Sequence, residues 1–211
     1  MCVKRLLPTL IVLGLSTGCV PNLVTPDTYD EGGDTEDSWT WEAPTNDWCV
    51  GEPEQGLVAE GFEVGQVPPD FRMADQKGQT LSLWQFYGKV VVLDISAIWC
   101  APCQDLAQGT QETVEHFADD EFMYVTLLSQ DLENNAPDHE DLNLWGDTFA
   151  ISGAPIIGDD SDMTYTGPPI DQNAGQLPIL LVIDPTMRVA QQVTPPSDEN
   201  LRIAVENVLA R

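Results

Sequence analysis

The sequence predicts an α/β fold: a three-layer sandwich with a mixed central sheet, helices on both of its faces and an N-terminal β-hairpin. Three observations predict it. Val90-Val91-Val92-Leu93-Asp94-Ile95 is a continuous apolar, β-branched run, of the kind found in a strand buried on both faces. Apolar stripes at helical spacing follow that run and close the chain. The elements alternate as strand–helix–strand–helix–strand–strand–helix, an order that a sheet covered on two sides satisfies.

Each element has a local signal. Phe71-Arg72-Met73, then Asp75-Gln76-Lys77-Gly78, then Gln79 to Leu83 read as strand, turn and strand. Gly88-Lys89 leads into the central strand, and Ala97 to Cys100 form its exit loop. Pro102 marks a helix start, where its missing N–H costs nothing. Leu106, Thr110, Val114 and Phe117 give that helix one buried stripe, enough to override Gly109, which weakens it by about 1 kcal/mol relative to alanine. Phe122 to Leu128 is the next strand and Asp141 to Ile151 a short helix. Residues 152–176, rich in Gly, Pro and Asp, read as a long loop. Ile179 to Ile183 and Arg188 to Val193 form a closing hairpin around Asp184-Pro185-Thr186-Met187. Ser197 caps the last helix, Asp198 and Glu199 sit near its positive end, and Leu201, Val205 and Val208 are its stripe.

The 211 residues hold 8 Lys and Arg against 35 Asp and Glu, a net charge of −27. Such a surface repels phosphate backbones and anionic headgroups, which excludes nucleic-acid binding as the expected function. It suits solubility, a salty medium, or the steering of basic partners. An apolar fraction of 42% supports a real core.

The first residues read as an export signal. Lys4 and Arg5 precede an apolar run from Leu6 to Leu15, and Ser16-Thr17-Gly18-Cys19 follows. About ten apolar residues are too few for a membrane span, which takes about 20. The stretch resembles a bacterial lipoprotein signal, although the usual Leu three residues before the cysteine lies here four before. That resemblance implies cleavage after Gly18, lipidation of Cys19, and attachment in the cell envelope facing the periplasm. Val20 after the cysteine is similar to the signals that sort to the outer membrane. Residues 1–18 are thus expected as signal peptide and 19–58 as an acidic low-complexity tether, with the folded domain over 59–211. Low hydrophobicity and like charge keep such a tether open, with a span of roughly 35 Å for a flexible chain of that length. Trp39, Trp41 and Trp48 interrupt it and are expected to pack on the domain. For Cys49, an intermolecular disulfide, a bridge to the domain and a free thiol all stay open.

Cys100 and Cys103 sit where the buried strand ends and a helix begins. A helix N-terminus stabilises a thiolate, and the thiolate is the nucleophile in thiol–disulfide exchange. Two intervening residues put the second sulfur one turn inward, so Cys100 is expected as the exposed attacker and Cys103 as the sheltered resolving thiol. Attack on a disulfide gives a mixed disulfide at Cys100, which Cys103 then displaces. A structural zinc site needs four ligands; Cys49 is the only other candidate thiol, and His116 and His139 are not spaced as a pair. A bridge across two residues closes almost no loop and stabilises little. Neither a metal nor a cofactor is expected.

The stretch from Val91 through Trp99-Cys100-Ala101-Pro102-Cys103 resembles the active site of the thioredoxin superfamily. Phe71 through Leu83 with Gly88-Lys89 resembles the leading hairpin of its membrane-anchored TlpA-like, ResA-like branch. Leu177-Pro178 before Ile179 to Asp184 resembles the family's cis-proline loop. The resemblance covers about residues 65–211 and implies that Pro178 is cis and faces the cysteines, with the Leu177 backbone presented to substrate. It implies a proton-accepting role for Asp94, six residues before Cys100, since a carboxyl inside a sheet has a raised pKa. Trp99, with Ala101 and Pro102, would shape the substrate surface. Position 101 lacks the Glu of some reductive members, and no Lys near the 122–129 strand is present to pair with Asp94.

The function so implied is an extracytoplasmic disulfide oxidoreductase, in the reductase direction. Its partners would be exported thiol- or disulfide-containing proteins, an upstream membrane thiol reductant, and the membrane itself through a lipid anchor. Two alternatives differ in class. Thiol peroxidases resemble one another in a cysteine preceded by Pro and Thr, absent here. Copper-delivery modules resemble a C-x-x-x-C spacing with a distant His, whereas this chain has C-x-x-C.

Overall fold

The computed structural model describes residues 40–158 and 175–211. The signal, Cys19, Trp39 and most of the expected tether lie outside the described residues. The unit built here runs from Trp41 to Arg211.

β1 (Arg72–Ala74) and β2 (Thr80–Ser82) form an antiparallel hairpin of their own. Its second strand ends earlier than expected, because Leu83–Phe86 turn into a 3₁₀ segment led by Ser82. The central sheet contains β3 (Val90–Ser96), β4 (Phe122–Leu128), β5 (Ile156–Gly158), β6 (Ile179–Ile183) and β7 (Val189–Gln192), in the order β5-β4-β3-β6-β7. β3–β4 and β4–β5 are parallel, and β3–β6 and β6–β7 antiparallel, so the sheet is mixed. Three helices are described: α1 (Ala101–His116), α2 (His139–Thr148) and α3 (Asp198–Leu209).

Every residue of β3 and β4 is buried, as the unbroken apolar runs require. Side chains alternate across β3, so Val90, Val92 and Asp94 share one face. Val90 and Val92 pack there with Leu106 of α1 and with Leu201 and Val205 of α3. α3 begins at the Ser197 cap, whose side chain accepts from the Asn200 N–H at 3.2 Å. Its first carboxylate explains Gly109: a Cβ there would lie 2.1 Å from Asp198 Oδ2. The glycine in α1 marks a place where α3 comes too close for a side chain.

Three further expectations need correction. The stretch 152–176 is not all loop, because Ile156–Gly158 pairs with Thr126–Leu128 and is fully buried. The three residues Ile156–Gly158 are too few for a periodic signal; the free edge of β4 makes them a strand. The tether does not reach residue 58. Trp41 donates its indole N–H to Asp70 (3.1 Å) and Trp48 donates to Asp75 (2.6 Å). Asn46 donates to the Thr80 carbonyl, Gly51 to the Gln85 carbonyl, and Lys77 lies 4.1 Å over the Trp48 ring. Residues 41–51 are thus strapped onto the leading hairpin, as expected of Trp41 and Trp48. α2 also begins two residues early, at His139, because Asp138 and Asp141 close a capping box.

Candidate active site at the β3–α1 junction

β3 ends at Ser96, and four residues later Cys100 is the N-cap of α1. Cys100 has extended backbone geometry, and its sulfur accepts from the Cys103 N–H at 3.3 Å. That N–H is among the first of the helix, and it is shared between the sulfur and the Cys100 carbonyl, which it meets at 3.0 Å. Pro102 stands in the first turn, where it needs no N–H, and that turn carries no acid. Cys100 and Cys103 are joined as a disulfide with their Cα atoms 5.2 Å apart. The expected contrast between an open and a sheltered sulfur is small in this oxidised form: Cys100 is 3% exposed and Cys103 fully buried.

Trp99 is half exposed, and its indole N–H donates to Gln130 Oε1 at 3.0 Å. The Ile98 N–H donates to the Gln130 carbonyl at 2.9 Å, so the loop after β4 braces the approach to the cysteines. Ala101 and Pro102 are exposed beside it. The Leu177–Pro178 peptide is cis, Pro178 is buried, and Leu177 packs against the core cluster that contains both cysteines. Ile179 pairs with Ile95, which puts Pro178 level with the end of β3, where the cysteine loop leaves. A second cis peptide, Thr194–Pro195, precedes α3.

Asp94 lies in the sheet and not at a wet edge. It is buried, on the face of β3 that packs under α1. Burial pushes its carboxyl up to about 6, while hydrogen bonds from Ser96 Oγ (2.7 Å) and Tyr124 Oη (3.1 Å) moderate that rise. Tyr124 and Ser96 thus hold the carboxyl that has no lysine partner. Sequence reasoning missed Tyr124 and Gln130, because each meets its partner 30 or 31 residues away through strand register. Among the described residues no group of three or more His, Cys, Asp or Glu is placed to hold a metal ion. What the junction can do chemically is store and release a two-electron disulfide, with a buried carboxyl on the sheet face beneath the helix.

Comparison with known proteins agrees with that chemistry. Residues 64–193 match the AhpC/TSA family. Thiol-disulfide oxidoreductase ResA of Geobacillus kaustophilus is 28% identical over 134 residues, covering 62% of this chain and 69% of its own. Thioredoxin-like protein YneN of Bacillus subtilis is 24% identical over 124 residues, covering 59% and 67%. The solved thioredoxin domain of a thiol-disulfide oxidoreductase from Bacteroides vulgatus has the same fold: TM-score 0.58 at 19% identity, over 71% of this chain and 99% of that one. The chain belongs to the AhpC/TSA family and is a ResA-like redoxin of thioredoxin fold, a thiol–disulfide oxidoreductase.

Proposed function

We propose that the chain is an extracytoplasmic protein disulfide reductase in which Cys100 attacks and Cys103 resolves. The observation that carries this is Cys100 as the cap of an acid-free helix start, with the Cys103 N–H aimed at its sulfur. A thiolate at Cys100 gains from both the helix dipole and that donor. It attacks one sulfur of a substrate disulfide and the other leaves as a thiolate. Asp94, with a carboxyl near neutrality, takes the Cys103 proton, and the Cys103 thiolate displaces the second substrate sulfur. Two electrons pass to the substrate, and the chain is left with the Cys100–Cys103 bond. Pro178 and the Leu177 backbone border the substrate's approach, with Trp99, Ala101 and Pro102 on its other side.

The export reading supplies the setting. Residues 1–18 are cleaved, Cys19 carries lipid, and the acidic segment before Trp41 tethers the domain in the envelope, facing the periplasm. Substrates are exported proteins with thiols or disulfides, and a membrane thiol reductant restores the dithiol. Among the described residues no helix is long and apolar enough to cross a membrane.

Insulin reduction by dithiothreitol tests the chemistry, and a glutathione redox titration tests its direction. Acceleration of the first is expected, with a midpoint well below that of strong oxidants at about −120 mV. A midpoint near that value would make the chain an oxidase. Hydrogen peroxide turnover that survives Cys103→Ser would make it a peroxidase.

A further inference from the structure

A cavity of about 330 Å³ opens between α1 and α2. Ile98, Trp145 and the exposed side chains of Leu132 and Leu144 give it apolar walls, and Asp105 and Asp141 stand on them. Leu132 is 65% exposed and Leu144 58%, two of the seven large apolar side chains left exposed among the described residues. The indole N–H of Trp145 is buried and finds no acceptor among the described residues. Its size is at the lower end of the range for ligand pockets, room for a few side chains of a polypeptide.

Charge selects the occupant. From Val90 to Met187 the sequence has no lysine or arginine and eighteen aspartates and glutamates. Both walls and the loop between them come from this run, so no cation of those two types balances Asp105 and Asp141 from it. An apolar floor in a negative field favours a segment that pairs an apolar side chain with a basic one. The chain's own acidic segments are the wrong sign. Ile98 links the groove to the site, two residues from Cys100, and Trp99 is tied through Gln130 to the loop that carries Leu132.

We propose that this groove docks the substrate polypeptide flanking the disulfide, reading a Lys or Arg next to a large aliphatic residue. The proposal rests on the reductase reading and adds its substrate class. Binding there holds the substrate sulfur near Cys100 before exchange begins, which raises the second-order rate without altering the sulfur chemistry.

The test uses pre-reduced full chain and two decapeptides, each with a central cysteine in mixed disulfide with a chromogenic aryl thiol. One has Lys-Leu before the cysteine and the other Glu-Ser. Cys100 attacks the peptide sulfur and the coloured thiolate leaves; Cys103 then frees the peptide thiol, so one chain reduces one disulfide. The Lys-Leu peptide is expected to react about tenfold faster at low salt, with the gap narrowing as salt rises. Leu132→Ser with Leu144→Ser should remove most of that advantage and leave the rate with the symmetrical aryl disulfide unchanged, since both side chains are exposed. Equal rates for the two peptides, or an equal loss on all three substrates, would overturn the proposal. So would sedimentation showing a concentration-dependent dimer that the same substitutions abolish. No reaction with the symmetrical aryl disulfide would overturn the reductase reading, and the groove's role with it.

Discussion

The first turn of α3 carries Asp198 and Glu199 behind a Ser197 cap, and that of α2 carries Glu140 and Asp141 behind an Asp138 cap. The first turn of α1 carries no acid and is capped by a cysteine. In a chain with 35 aspartates and glutamates that difference is informative. A carboxylate near a helix start uses the positive end of the dipole to stabilise the helix. α1 leaves that end to the Cys100 sulfur. On the proposed function, two helix starts serve stability and one serves reactivity.

The largest expected effect separates the two uses outright. Cys100→Ser should bring insulin reduction down to the uncatalysed background. Its stability in urea should change by no more than about 1 kcal/mol, because serine is itself a strong cap and the bridge spans only two residues. A variant that loses activity only by unfolding would break the comparison.

Asp94 gives the next effect. The acid that α1 lacks in its first turn is present one layer below, on the face of β3 under the helix. Its folded-state pKa of about 6 lies above the ordinary 3.8 because of burial. Below about pH 3.8 the carboxyl is protonated in both folded and unfolded chains, and its contribution is fully present. As pH rises toward 6 the unfolded chain sheds the proton first, so stability falls by about 3 kcal/mol and then levels off. Asp94→Asn should flatten that window in urea melts and make the protein more stable at pH 7. It should also slow the release of mixed disulfides above pH 6 and remove an inflection near 6 from the rate profile. An unchanged profile would relieve Asp94 of any part in proton transfer.

Ser197→Ala is the mirror of the cysteine exchange. Losing the cap that accepts from the Asn200 N–H should cost about 1 kcal/mol and leave insulin reduction unchanged. Activity falling in step with stability would mean that the two helix starts are not separable.

Most of the sheet and both cysteines were legible because their signals are local: an unbroken β-branched run, Pro102 in the first turn of a helix, stripes at spacings of three and four. β5 was not, since Ile156-Ile157-Gly158 becomes a strand only beside the open edge of β4. The segment 41–51 read as part of an open tether from its composition; its tryptophans were expected to pack, but their partners were hidden, because the hydrogen bonds join indoles to carboxylates 27 and 29 residues away. Tyr124 read as one more core residue; that its hydroxyl reaches Asp94 depends on the β3–β4 register, which no local pattern reveals. Gly109 looked like a defect in α1 until Asp198 filled its place.

The smallest effect probes the comparison most directly. Ala101→Asp gives α1 the kind of first-turn acid that α2 and α3 already have. Position 101 is exposed, so the new side chain meets no steric bar and its charge acts partly through water. A carboxylate there competes with the sulfur for the helix end, an interaction of about 0.3–1 kcal/mol. Alkylation of Cys100 by iodoacetamide at pH 7 should slow about two- to fivefold, while a Cys103→Ser background keeps the second thiol out of the measurement. Ala101→Asn, similar in size but neutral, should leave the rate close to wild type, and added salt should return the Asp variant toward it. Equal slowing by Asn and Asp would trace the effect to shape. The empty first turn would then be an accident of composition and not the source of the sulfur's reactivity.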